Sequence, residues 1–269
     1  MTENKFDIKE TILAVDINEA TQAVKENRFK DAIKLLEISL IEHPDHIDSL
    51  YLAGVCSRYL KEFDDAIKYI ESLLVHAPDM GRAYQELAHI NRDMGNEEKS
   101  ISNYRQACEL NPALISSWMS LYEYFKKNNN KPALDHATEQ INKLKSLPNM
   151  LLYIDQVMNE GRLGVAELKC REFLKKNPTH TYAMSQLSEI ANRLGHFDDA
   201  ELLLEKAVQF NPDDGELRMK YALVLRKKQK FAKTMEQVNI LCDKYPDNLA
   251  YQAQKASEIM QNGQHEDAI

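Results

Sequence analysis

The sequence predicts an all-α protein built as an array of repeated helix pairs, and three observations predict it. Seven of the eight prolines fall at 44, 78, 112, 148, 178, 212 and 246; four of the six intervals are 34 residues, and the other two, 36 and 30, compensate each other. With each of these prolines set at position 32 of a 34-residue unit, position 20 holds Ala32, Ala66, Ala166, Ala200 and Ala268, and position 8 holds Ala20, Gly54, Ala88, Ser188, Ala222 and Ala256. Position 15 holds Asn27, Gly95, Asn129, Gly161, Gly195 and Gly263. A fixed period in this range marks a stack of identical supersecondary units.

Each position has a physical reason. Small residues at 8 and 20 let two helices cross closely. Gly or Asn at 15 takes the left-handed conformation that ends a helix. Proline at 32 cannot continue a helix and biases its predecessor away from one. The residue after it is often Asp or Thr (Asp45, Asp79, Thr179, Asp213, Asp247) and is expected to cap the next helix. Each unit therefore reads as helix A, tight turn, helix B, turn.

Taken in order, residues 1–12 are a lead. Repeat one starts at Leu13 and is degenerate, with Asp16 and Glu19 at positions usually apolar. Repeats two and three are regular. Repeat four carries an Asn run and the extra Pro132, which fits only the first turn of its helix B. It ends two residues late at Pro148, so residues 13–146 (repeats 1–4) and 147–269 (repeats 5–8) are expected to differ in superhelical angle. Repeats six and seven are regular again. In repeat eight, Ala268 and Ile269 occupy positions 20 and 21, in the first turn of a helix B. A unit without its second helix leaves an apolar face open, so the chain reads as a piece of a longer protein, and two copies meeting at that end would form a dimer.

Composition narrows the function. The chain of 269 residues is 43% hydrophobic and 28% charged, with net charge −8, which argues against non-specific nucleic-acid binding. There is no basic, apolar leader and no run long enough to span a membrane. Cys56, Cys108, Cys170 and Cys242 form no CxxC pair and read as buried thiols in a reducing, cytoplasmic setting. No phosphate loop, dinucleotide loop, zincin or nucleophile-elbow motif occurs, so no cofactor is expected and this chain reads as no enzyme. His43 and His46 share a turn with no third metal ligand, and Trp118 reads as core.

The run "TYAMSQLSEIANRLGHFDDAELLLEKAVQFNP", with Leu187, Ser188, Gly195, Phe197, Ala200, Ala207 and Pro212 in register, resembles the tetratricopeptide repeat (TPR) family over residues 13–269. The resemblance implies a right-handed superhelical solenoid of about 7.5 repeats and a role in protein interaction. The last 59 residues are also similar to the TPR region that precedes the catalytic domain of bacterial sulfotransferase fusions. That likeness implies an enzyme only through a domain downstream of this chain.

With positions 4, 7, 8 and 11 of helix A facing the core, positions 2, 5, 9, 12 and 13 face away. In the family these line a concave groove. In repeats two to four they are Tyr51, Arg58, Tyr59, Arg82, Gln85, His89, Arg92, Lys126 and Lys127, with Asp48, Asp93 and Glu123 among them. The positive excess with interleaved tyrosines implies an extended, acidic peptide or protein partner. The family's carboxylate clamp is missing: Ile17, Thr21, Leu52, Gln85, His89 and Ser120 stand at its key places.

Overall fold

A computed structural model describes residues 17–261. The proposed lead, Gly263 and the start of the last helix B lie outside them. The described residues hold fifteen helices and no strand. In the first unit, α1 (17–25), α2 (Phe29–Glu42), α3 (Ile47–Tyr59), α4 (Phe63–His76), α5 (Gly81–Asp93), α6 (Glu97–Leu110), α7 (Ile115–Lys127) and α8 (Lys131–Lys145) follow one another. The second unit holds α9 (Asn149–Asn159), α10 (Leu163–Lys176), α11 (Thr181–Arg193), α12 (Phe197–Phe210), α13 (Gly215–Lys227), α14 (Phe231–Lys244) and α15 (Leu249–Gln261). The chain divides into these two compact units between Leu147 and Pro148. In the first unit α3, α5 and α7 each pack on the B helix that follows and on the one before; in the second, α11 and α13 do the same, α9 packs on α10 and α15 on α14.

Position 15 works as the sequence implies. Asn27, Gly95, Asn129, Gly161 and Gly195 all have positive φ. So do Lys61 (φ 63°) and Gln229 (φ 57°), which have neither Gly nor Asn to ease them. In every case the next residue's N–H reaches five residues back, as from Glu62 to Ser57 O (2.9 Å) and from Lys230 to Leu225 O (3.0 Å). That bond closes a Schellman turn and aims helix B back along helix A.

The close crossing at positions 8 and 20 is equally direct. A Cβ on Gly54 would sit 2.5 Å from Ile70 Cδ1. Where a serine occupies either position, its hydroxyl crosses the gap: Ser100 Oγ donates to Ala88 O (2.9 Å) and Ser188 Oγ to Ala200 O (3.2 Å). Pro132 sits in the first turn of α8, with Asn130 as its N-cap.

One expectation is corrected. The residue after each proline does not cap the next helix. Pro44 and Asp45 form a turn in which His46 N donates to His43 O (3.1 Å), and the cap is His46, whose Nδ1 accepts from Ser49 N (3.2 Å). The cap is likewise one residue further on at Met80, His180 and Asp214, and Asn248 Oδ1 accepts from Ala250 N (3.0 Å). The proline turn uses one more residue than a direct proline-to-cap link would.

Helix A buries a wider face than four positions. Position 3 (Ser49, Ala83, Ser117, Ala183, Leu217) and position 10 (Cys56, Ile90, Ile190, Val224) are buried as well. An A helix touches two B helices and the A helices beside it, and burying each aliphatic side chain contributes about 1.5–3 kcal/mol. Trp118 packs on the α7 core with its Nε1 donating to Pro112 O (2.9 Å). The four cysteines are free and buried; burial pushes the Cys56, Cys108 and Cys170 thiols up to about 12 and raises that of Cys242. No helix among the described residues is long and apolar enough to cross a membrane.

Candidate functional site

The outward positions of α3, α5 and α7 gather into one polar face in the first unit. Its anchor is Arg58, in the last turn of α3, which donates to Glu86 of α5 and, at 3.3 Å, to Asp93. The Arg58 side chain is only 11% exposed and that of Glu86 only 4%. Burial works against both charges and pushes the Glu86 carboxyl up, while the adjoining guanidinium pulls it back. For Arg58, burial is outweighed by Glu86, and the guanidinium is held above its ordinary value. Arg58 also lies 4.4 Å above the Tyr59 ring, which stacks on Phe29 at 4.6 Å.

Next to this pair, His89 Nδ1 meets Tyr104 Oη at 2.7 Å. Arg92 donates to the same oxygen (3.3 Å) and to Asp93 (3.1 Å). A guanidinium only donates, so the tyrosine hydrogen is free to point at a neutral imidazole. Consistently, burial, together with Arg58 and Arg92, pushes His89 down to about 4. This histidine is a fixed acceptor at neutral pH.

The remaining sequence-selected residues are distributed around that centre. Gln85 donates to Ser116 Oγ (2.7 Å) and Ser117 Oγ (2.8 Å), tying α5 to α7. Arg82 lies over the Tyr51 ring at 4.7 Å. Lys126 is exposed, 5.9 Å from the Tyr122 ring centre, and Lys127 pairs with Glu97 at 2.8 Å. Arg58, His89 and Arg92 therefore converge in one network. Much of the positive excess read from sequence is met inside the chain, by Glu86, Asp93 and Glu97.

A cleft of about 590 Å³ opens beside this network, between α5, α6 and α7. Arg92, Glu97, Glu123 and Lys127 rim it, and Tyr104, Ile101 and Tyr124 form its body. Sequence reasoning missed Glu86 and Tyr104. Glu86 stands at position 6, which no single-repeat pattern marks. The signal was an acid one turn before His89, opposite a basic position 12 in the preceding repeat.

Comparison with known proteins places the chain. Two tetratricopeptide repeat models match it, one at residues 81–114 and the other at 17–80 and 186–248, together more than half of the chain. The DnaJ homolog subfamily C member 7 homolog of Dictyostelium discoideum is 22% identical over 222 residues, covering 80% of this chain. The chain spans 37% of that relative's length. Among solved structures, the Naa15/Naa10 complex bound to HypK-THB contains a chain similar over 92% of this one and 39% of its own length, at 16% identity and TM-score 0.44. A thermophilic TPR protein of Thermus thermophilus is similar over 92% of this chain and 99% of its own, at 16% identity and TM-score 0.35.

Proposed function

The chain belongs to the tetratricopeptide repeat family, and we propose that it is a non-catalytic interaction module that holds a segment of a partner protein against the face of α3, α5 and α7. The observation that carries this reading is the 590 Å³ cleft, with an aromatic and aliphatic body and a charged rim. Such a site favours one apolar side chain with polar backbone and rim contacts around it. Arg58, Glu86 and His89 support the face from beneath rather than meeting the partner. Arg92, Lys126 and Lys127 are the exposed cations that a partner carboxylate reaches. The buried thiols fit a reducing, cytoplasmic setting. The sulfotransferase resemblance rests on residues shared by TPR units generally and adds nothing to this site.

The test is selection of a displayed random-peptide library against the chain, followed by Ser120→Trp, which fills the cleft from α7. Enriched peptides should lose affinity for Ser120→Trp by about tenfold or more while its helical circular dichroism stays unchanged. Absence of any enriched peptide, or full retention of binding by Ser120→Trp, would overturn the reading.

A further inference from the structure

The second unit contains a cleft in the same register as the one beside Tyr104. It lies between α11, α12 and α13 and measures about 440 Å³. Its floor is apolar: Leu204 and Val224 are buried, and Leu223 presents an aliphatic wall at 41% exposure. Its rim has three cations, Lys220, Arg226 and Lys227, against one carboxylate, Glu189, whereas the cleft in the first unit has two of each sign.

What the cations touch makes the difference sharper. Lys227 Nζ donates to the neutral Asn192 Oδ1 (2.9 Å) and faces the Phe197 ring at 5.8 Å. Lys220 Nζ donates to the neutral Ser185 Oγ (3.2 Å); its carboxylate neighbour, Glu216 at 3.4 Å, is 70% exposed and solvent-screened. Glu189 is held by Arg193 (2.9 Å), and Arg226 reaches Glu258 (3.4 Å). Lys228, next in sequence, is instead committed to Asp198 and Glu201. Neutral oxygens orient an ammonium group without cancelling its charge, and a carboxylate in their place makes a hydrogen bond about twice as strong.

We propose that this cleft receives an acidic segment of a partner protein, with one leucine- or phenylalanine-like side chain on Leu204, Leu223 and Val224 and flanking carboxylates drawing Lys220 and Lys227 away from Ser185 and Asn192. The proposal rests on the interaction-module reading but not on the cleft in the first unit. The outward positions of repeats two to four, by their sequence, point to acidic recognition there. Lys220 and Lys227, which donate to neutral oxygens, lie in repeat seven and face repeat six.

The test is fluorescence anisotropy on the full chain with two capped, labelled hexapeptides, Asp-Glu-Leu-Phe-Glu-Asp and its amide counterpart Asn-Gln-Leu-Phe-Gln-Asn. The acidic peptide should bind about tenfold tighter than the amide peptide, and the gap should shrink as salt rises from about 50 to 300 mM. Lys220→Glu with Lys227→Glu should abolish the preference; both side chains are on the surface, and Lys220→Gln with Lys227→Gln repeats the test should charge reversal disturb the fold. Lys220→Arg with Lys227→Arg should retain it, and Ser120→Trp should leave it intact. Equal affinity for the two peptides overturns the proposal, as does no binding up to about 1 mM. Loss in Ser120→Trp but not in the lysine variants also overturns it, and would place acidic recognition on the α5–α7 face with the module reading intact.

Discussion

The two units put the same repeat positions to different use. In the first, position 12 of repeat two and position 6 of repeat three are Arg58 and Glu86, a buried ion pair that fixes α3 to α5. In the second, position 6 of repeat six is Gln186, which bonds Leu151 O and Asp155 of the preceding helix pair, and position 6 of repeat seven is the exposed Lys220. One face uses its buried charge, Arg58 with Glu86 and Asp93, in holding itself together. The other meets its between-repeat contact with an amide that donates to the buried Asp155, and leaves Lys227 on a neutral oxygen and Lys220 on another with only the exposed Glu216 beside it. At position 6, then, Glu86 ties its repeat to the one before with a buried charge, and Gln186 does so with an amide.

The largest break in that comparison comes from the buried pair. Glu86→Ala leaves Arg58 buried without its main carboxylate and should destabilise the first unit by about 3–5 kcal/mol. Gln186→Ala removes a neutral donor from the buried Asp155 and should cost the second unit less, about 1.5–3 kcal/mol. Native-state hydrogen exchange, read separately for α3–α7 and α11–α13, measures both; equal losses would show that the ion pair is no more structural than the amide.

A smaller effect appears with acid. His89 lies at about 4 in the fold against an ordinary 6.5, so the unfolded chain takes up the proton first as pH falls. Its contribution is present above about pH 6.5 and is lost on the way down to 4, on the order of 2 kcal/mol from the first unit. His89→Gln should flatten that slope. Denaturant midpoints at pH 7 and 4.5 check it, and an unchanged slope would detach the histidine from the unit's acid response.

The smallest effect should be common to both units. Lys61→Gly and Gln229→Gly each relieve a side chain from a left-handed backbone and should stabilise by about 1 kcal/mol, whereas Gly161→Ala should destabilise by a similar amount. Gains that differ between the units would mean that the turns, and not only position 6, set them apart.

The fold was legible because its determinants repeat. Pro44 to Pro246, the small residues at 8 and 20 and the turn residues at 15 act within one unit, so a period exposes them. The cap was misplaced because a proline turn and a proline-to-cap link have the same spacing within one residue. Of the candidate site, the outward positions were legible and their contacts were not. Arg58, His89 and Arg92 were found from their outward positions and do converge. Glu86, Tyr104 and the lysines of α13 were missed because they act between neighbouring helices, where the partner of one position is a different position one helix or one repeat away. Charge counted along one face could not show which cations the fold had already neutralised.

The free cysteines supply a means of watching these units separately. Cys56 and Cys108 lie in one, Cys170 and Cys242 in the other. With burial holding three of the thiols near 12, almost no thiolate exists at neutral pH until a helix pair parts from its neighbours. Alkylation followed by peptide mass spectrometry then becomes a clock for each opening event, with no label introduced. Cys242, whose thiol burial raises less far, should be modified ahead of Cys170, and Glu86→Ala should accelerate Cys56 while leaving Cys170 at its original pace.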